Sequence, residues 1–334
     1  MLDLTTRYMG LALKNPVVAS GSPLTAELES ILRVADAGAS AIVMASLFEE
    51  DIAAQEVHEA SLMSMGENSH PEATEYFPSF AVASPLEGRL NTLRRAADRA
   101  GVPIIASLNG STQAGWVHFA RQLEQAGAAA IELNIWHIPT DPDETGADVE
   151  ARLVGILKAV KADVTIPVSV KLPPFWSAPG NVAKQLVQAG ANGLVLFNRF
   201  YEPELDIRAQ TLDSHVALSN SYDLRLPLVW TGLLSRRLDT SFAVSGGVTS
   251  GDDVVRCLLA GADVAMVTSA LLRNGPDFIK TMLVAVQEWM TAQKLESVQD
   301  FKGHSAAHGT AQAAEKFLRE QYRRIISPTP SLSR

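Results

Sequence analysis

The chain has 334 residues, 47% of them hydrophobic, one cysteine, and a formal charge of −9 from 28 Lys+Arg against 37 Asp+Glu. The acidic balance and the lack of any Lys/Arg run exclude a nucleic-acid surface, and one cysteine excludes an intrachain disulfide or a cysteine-built zinc site. No stretch reaches the ~18 uncharged apolar residues of a membrane helix, and the N-terminus, acidic at position 3 with no basic start, does not read as a signal peptide; a cytoplasmic protein is expected.

In chain order, a strand is expected at Val17–Ala19, a helix at Thr25–Ala37 and a strand at Ala41–Ala45. A long connection from Leu47 to Ser84 follows, then helix Leu86–Ala100, strand Ile104–Leu108, helix Gln113–Ala126, strand Ala130–Ile135 and helix Ala147–Lys161. Strand Val168–Leu172, helix Val182–Ala189 and strand Gly193–Phe197 lead to a second long connection, Arg199 to Trp230, whose segments Leu205-Asp206-Ile207 and Val216-Ala217-Leu218 suggest an accessory hairpin. Strand Phe242–Ser245, helix Gly251–Ala260, strand Ala265–Thr268 and helix Pro276–Ala292 complete the pattern.

Five helices stop in the same way, at Ala37-Gly38, Ala100-Gly101, Ala126-Gly127, Ala189-Gly190 and Ala260-Gly261, where glycine suits a left-handed C-cap. Strand, helix, glycine and strand is the rhythm of βαβ units. Length alone allows one domain or two, but eight such strands and no G-x-G-x-x-G turn favour a single (β/α)8 TIM barrel over an open dinucleotide-binding sheet. The barrel is expected over residues 1–303, with both long connections as insertions on its C-terminal face. Residues 304–334 are expected to form a C-terminal helix and a Pro/Ser tail that frays.

The strand ends carry the chemistry. Ala19-Ser20-Gly21, Asn109, Asn134, Lys171, Asn198, Ser245-Gly246-Gly247 and Thr268-Ser269 should face one pocket, a site for a polar, planar ligand. Gly246-Gly247 before a helix start at Gly251, with Thr268-Ser269 in the next loop, suits a phosphate held by backbone N–H groups; the alternative for the two glycines is a plain tight turn. Lys171 has three readings: contact with an electron-rich cofactor ring, a Schiff base with a carbonyl substrate, or an ion pair with Glu132. The histidines show no metal spacing; His304 and His308 lie four apart without the acid of a zinc motif. Glu49-Glu50-Asp51 reads as a solvated charge run more readily than as a cation site.

Taken in order, Ala19-Ser20-Gly21, Glu132-Leu133-Asn134, Val170-Lys171-Leu172-Pro173-Pro174, the Gly246-Gly247 turn with Gly251-Asp252-Asp253, the run from Leu258 to Asp263, Thr268-Ser269-Ala270-Leu271 and Asp300-Phe301-Lys302-Gly303 resemble the dihydroorotate dehydrogenase family. The resemblance covers about residues 1 to 303. It implies an FMN-dependent barrel in which Ala19, Ser20 and Gly21 line the flavin and Asn109 and Asn134 contact its ring or ribityl chain. Lys171 would stand near flavin N1/O2, and Ser245, Gly246, Gly247, Thr268 and Ser269 would hold the phosphate. A cation beside N1 stabilises the charge that builds there as N5 accepts a hydride.

The departures from the family concern the substrate side. Met44 aligns where the family has a lysine, and His137 where it has a cysteine or serine base; His137 is either that base, with a suitable unperturbed pKa, or a solvated loop histidine. Ser64-Met65-Gly66 is similar to the family's lid, with Met65, Asn134 and Asn198 as implied substrate contacts, but the flanking amides are replaced, which argues for another substrate or weak orotate chemistry. The expectation is an FMN-dependent, dihydroorotate dehydrogenase-like oxidoreductase of pyrimidine metabolism, acting on a C–C bond of a dihydropyrimidine-like substrate as a cytoplasmic homodimer. A Schiff-base aldolase or lyase using Lys171, or a flavin-binding protein without turnover, are the alternatives.

Overall fold

All five expected glycine stops take positive φ, at 109° for Gly38, 64° for Gly101, 93° for Gly127, 100° for Gly190 and 103° for Gly261. Each helix therefore ends in a left-handed residue that returns the chain to the next parallel strand. The computed structural model describes residues 2–50, 52, 85–110, 112–200, 202–213, 217–307 and 310–326. Met65 and nearly all of the first long connection lie outside them, as do His58, His70, His215, His308 and the Ser327–Arg334 tail.

The strands are β1 (Thr6–Tyr8), β2 (Leu11–Leu13), β3 (Val17–Ala19), β4 (Ala41–Val43), β5 (Leu47–Phe48), β6 (Ile104–Asn109), β7 (Ala130–Asn134), β8 (Val168–Leu172), β9 (Gly193–Leu196), β10 (Glu204–Asp206), β11 (Thr211–Asp213), β12 (Ser241–Ser245) and β13 (Val264–Val267). Parallel pairing runs β3-β4-β6-β7-β8-β9-β12-β13 and returns from β13 to β3, so the sheet closes into a (β/α)8 TIM barrel. Closure removes the sheet edges. The short β5 pairs beside β6 above the ring.

Alternate strand residues separate into two cores, as a pleated strand requires. Val17, Ala19, Ile42, Ile104, Ile131, Val170, Leu194, Val244 and Val267 face the helices in the outer layer. Val18, Ala41, Val43, Ile105, Ala130, Val195, Ala243, Val264 and Met266 face inward, where Tyr8, Met9 and Leu13 of the β1–β2 hairpin pack on them. That hairpin plugs the N-terminal end of the barrel. Gly193 makes room for it: a Cβ there would lie 2.9 Å from the Met9 side chain and 3.3 Å from Tyr8.

Three expectations are corrected in detail. The expected Thr25–Ala37 helix is a 3-10 turn at Pro23–Thr25 and a helix at Leu28–Asp36, interrupted by Glu27 in extended conformation (φ −108°, ψ 143°). The accessory hairpin exists, but β10 pairs with Thr211–Asp213 rather than with 216–218, because Asp206 Oδ1 accepts the N–H groups of Arg208 and Ala209 and closes the turn early. The rest of that connection contains a helix at Arg225–Leu234. No described helix is long and apolar enough to cross a membrane.

A buried ion pair ties the late segment to the barrel floor. Asp263 accepts the Phe242 N–H at 2.7 Å and pairs with Lys302, while its backbone carbonyl accepts from the Thr6 hydroxyl. Burial pushes the Asp263 carboxyl above its ordinary value although Lys302 opposes it. Removing the cation leaves a buried carboxylate uncompensated, so Lys302→Met is expected to destabilise the fold by ~3–5 kcal/mol in urea unfolding at neutral pH. An acid whose folded pKa is raised contributes stability at low pH that is lost as pH rises, so the deficit should shrink on acidification; a deficit that stays constant would contradict this account.

Candidate active site

On five of the eight barrel strands the inward positions change from apolar to polar toward the C-terminal face, Val18 then Ser20, Ile105 then Ser107, Ala130 then Glu132 and Asn134, Ala243 then Ser245, Met266 then Thr268, and on β8 both Ser169 and Lys171 are polar. The polar ends meet above the apolar plug. Ser107, Glu132 and Ser169 stand side by side in register on β6, β7 and β8, with Asn134 beside Lys171 one step higher.

Lys171 Nζ lies 3.6 Å from Glu132 Oε1, and both side chains are buried. Of the three readings of Lys171, the ion pair is the one present in the geometry, and it coexists with access, since Lys171 also lines a cavity of about 710 Å³. The same cavity is lined by Gly21, Asn198, Ser245, Gly246, Gly247, Thr268 and Ser269, so eight of the residues expected at the site share one space. Phe175 and Phe200, an edge-to-face pair with centroids 5.0 Å apart, also line it.

The part of the cavity formed after β12 and β13 is a hydrogen-bonded cradle. Ser219 accepts the Gly247 N–H at 3.3 Å and shares a 2.8 Å hydroxyl contact with Ser269. Arg273 holds the Leu218 and Ser219 carbonyls, each at 2.8 Å. Below it, Asp253 accepts the Thr249 N–H and hydroxyl and pairs with Arg256. Burial alone would raise the Asp253 carboxyl, but these partners together hold it below the ordinary carboxylate range. A Cβ on Gly246 would meet nothing within 4 Å, whereas one on Gly247 would lie 2.3 Å from the Leu224 backbone nitrogen.

A second polar network joins four strand ends on the other side. Ser46 and Ser107 hydroxyls are 2.8 Å apart, Asn134 Nδ2 donates to Ser46 at 3.4 Å, and Asn198 Nδ2 donates to Asn134 Oδ1 at 2.7 Å. The two asparagines expected to touch substrate are thus bonded to each other. Ser46, Ser169, Ser219 and Arg273 were not among the residues expected at the site; counting back two positions from Lys171 along β8 would have found Ser169.

Other expected residues sit elsewhere. Ala19 faces the outer layer, so only its backbone is available to the pocket, while Ser20 is buried with a hydroxyl that has no partner. Asn109 is buried at the end of β6 outside the cavity lining. Met44 packs in the outer apolar layer with Ile42, so the alternation gives the inward position to Ala45. His137 does not line the cavity: its Nε2 stands 3.0 Å from Glu144 Oε2 and 2.7 Å from Arg152 on an exposed loop. Glu49, read as solvated, instead accepts the Thr112 N–H and hydroxyl, at 2.8 and 2.7 Å, at the start of helix Gln113–Gln125. Cys257 is buried on helix Gly251–Leu259, its thiol pushed far above the ordinary range by burial and then by Asp253.

A closed parallel barrel whose C-terminal face combines a buried lysine with a glycine and hydroxyl cradle defines a small-molecule enzyme scaffold. The family model described as dihydroorotate dehydrogenase matches residues 77–290. The chain is 30% identical over 235 residues to a putative dihydroorotate dehydrogenase A (fumarate) of Aeropyrum pernix, covering 68% of this chain and 74% of that protein. It is 26% identical over 312 residues to the dihydroorotate dehydrogenase B (NAD(+)) catalytic subunit of Thermoplasma acidophilum, covering 91% and 99%, and 26% identical over 309 residues to that of Methanocaldococcus jannaschii, covering 87% and 95%. The chain belongs to the dihydroorotate dehydrogenase family.

The two cradle glycines are expected to differ on substitution. Gly247→Ala combines a φ of 79° with a backbone collision and should cost at least ~1–3 kcal/mol in thermal or urea unfolding. Gly246→Ala, strained only by its φ of 92°, should cost less; an equal or reversed order would show that the loop relaxes freely.

Proposed function

We propose that the chain is an FMN-dependent oxidoreductase that oxidises a C–C bond of a dihydropyrimidine-like substrate. The observation that carries this reading is the presence, in one cavity, of Lys171 together with Gly246-Gly247 and Thr268-Ser269. The site's own features fit the group: open space beside Gly246, an unpartnered Ser20 hydroxyl, close backbone approach at Gly21, and a largely apolar lining that holds the Ser245, Thr268 and Ser269 hydroxyls and Lys171. FMN, when bound, supplies a two-electron acceptor whose N5 takes the hydride.

The chain's residues have these roles. Gly246, Gly247, Thr268 and Ser269, with Ser245 beneath them, bind the phosphate; Gly21 and Ser20 line the ring; and Lys171 presents positive charge where negative charge develops. Asn109 contacts the ring or ribityl chain, Asn134 and Asn198 orient the substrate, and Met65 contributes from outside the described residues. His137 is the proposed proton acceptor; to reach a substrate it has to leave Glu144 and Arg152. The reading includes a cytoplasmic homodimer, by likeness to the family, and leaves the electron acceptor open, since the relatives' names differ on it. An ammonium engaged with a carboxylate has no free lone pair to attack a carbonyl, so the Lys171–Glu132 pair argues against the aldolase reading.

Purified protein should carry the visible absorption of oxidised flavin, and one of a set of dihydropyrimidines, dihydroorotate and dihydrouracil first, should bleach it anaerobically. Colourless protein that takes up no FMN would rule the proposal out, and flavin that no substrate reduces would leave a binding protein without turnover. Lys171→Met should slow the reduction by ~10²–10³-fold, the size of losing one preorganised charge partner. His137→Ala should slow it by ~10²–10⁴-fold; an unchanged rate would move the base to another residue. Borohydride should trap no substrate on Lys171.

A further inference from the structure

Glu132 stands in the middle of β7, 1% exposed, facing the barrel axis between Ser107 and Ser169. One carboxylate oxygen lies 3.6 Å from Lys171 Nζ, and the other has no hydrogen-bond partner. A carboxylate kept only to anchor a lysine would be expected to use both oxygens, because an unpaired charged oxygen in a dry interior is costly. Beneath it, the Tyr8 hydroxyl from the plugging hairpin is also buried without a partner. Burial and then the charge of Glu132 push the Tyr8 phenol far up, while Ser169 pulls weakly the other way. Tyr8 is thus neutral and offers no counter-charge, and Asp263 on the floor of the barrel is engaged with Lys302. Among the described residues, Lys171 is the cation paired with Glu132.

We infer that Glu132 is a charge-balancing positioning residue: its carboxylate offsets part of the Lys171 charge at the floor of the pocket and so lowers the reduction potential of the bound flavin below what the lysine alone would set. The inference rests on the flavin reading above. Lys171 favours the reduced, more negative ring, and Glu132 opposes it through the same low-dielectric interior. The polar column of Tyr8, Ser169, Glu132 and Lys171 thereby links the plug of the barrel to the electronics of its mouth.

The test is the midpoint potential of flavin in the holoprotein, measured by spectroelectrochemical titration in parent, Glu132→Gln, Lys171→Met and the double variant. Glutamine keeps an acceptor oxygen for Nζ and removes only the charge. The potential of Glu132→Gln is expected to rise by at least the equivalent of a tenfold shift in the ratio of reduced-to-oxidised flavin affinity, ~30 mV for a two-electron couple. In the Lys171→Met background the same change should have little effect. A merely structural glutamate predicts an unchanged or lower potential in Glu132→Gln, and either result with flavin bound overturns the inference. Parent protein that binds no flavin fails earlier, at the reading on which the inference rests. Should Glu132→Gln not fold, Lys171→Met decides. Glu132 is then a buried acid without its cation, and burial penalises its charged form, so stability should rise on acidification more steeply than in the parent. A pH profile parallel to the parent's overturns the inference.

Discussion

Closing a parallel sheet into a barrel leaves no edge and no bulk water on its axis, so a charge placed there must be matched within the barrel. The Lys171–Glu132 pair is that match, and the rest of the site is arranged around it. The lysine stands at the step where the inward residues turn from apolar to polar, with Val195 beside it on β9 and Asn134 beside it on β7. The glutamate is flanked by serines small enough to leave it centred. Breaking the register of either strand by one residue would send one partner into the outer layer of helix-packed valines and leucines.

The two sides of the pocket are built differently. The side beyond β12 and β13 is over-determined: Arg273, Ser219 and Asp253 fix loops whose glycines could otherwise move, so its donors are preorganised before a ligand arrives. The opposite side is held by the softer amide and hydroxyl network of Ser46, Ser107, Asn134 and Asn198, where donors and acceptors are exchangeable. One wall is thus fixed by ion pairs and backbone contacts, and the other by side-chain amides and hydroxyls that can exchange donor and acceptor roles.

The departures from the family take on a physical meaning in this setting. Cys257 is enclosed by the outer apolar core and held as a thiol by burial, so it offers no thiolate base. Met44 is a packing residue, and the inward position near it, Ala45, is small and uncharged; the cationic character of the floor falls to Lys171. His137 is held at the surface by an acid and an arginine.

Sequence by itself determined the barrel, since strand periodicity and the Ala-Gly helix stops are local properties of a few consecutive residues, and all eight barrel strands fall within two residues of their expected bounds. It also determined which residue types crowd the strand ends. Only the tertiary structure decided which of them meet. The N-terminal hairpin acts as a plug because a closed barrel leaves its floor open to a side chain from outside the repeat, and nothing local to Tyr8 announces that. Glu49 caps a helix more than sixty positions away, and Glu132 faces Lys171 only through strand register, an agreement between two segments that no single segment encodes.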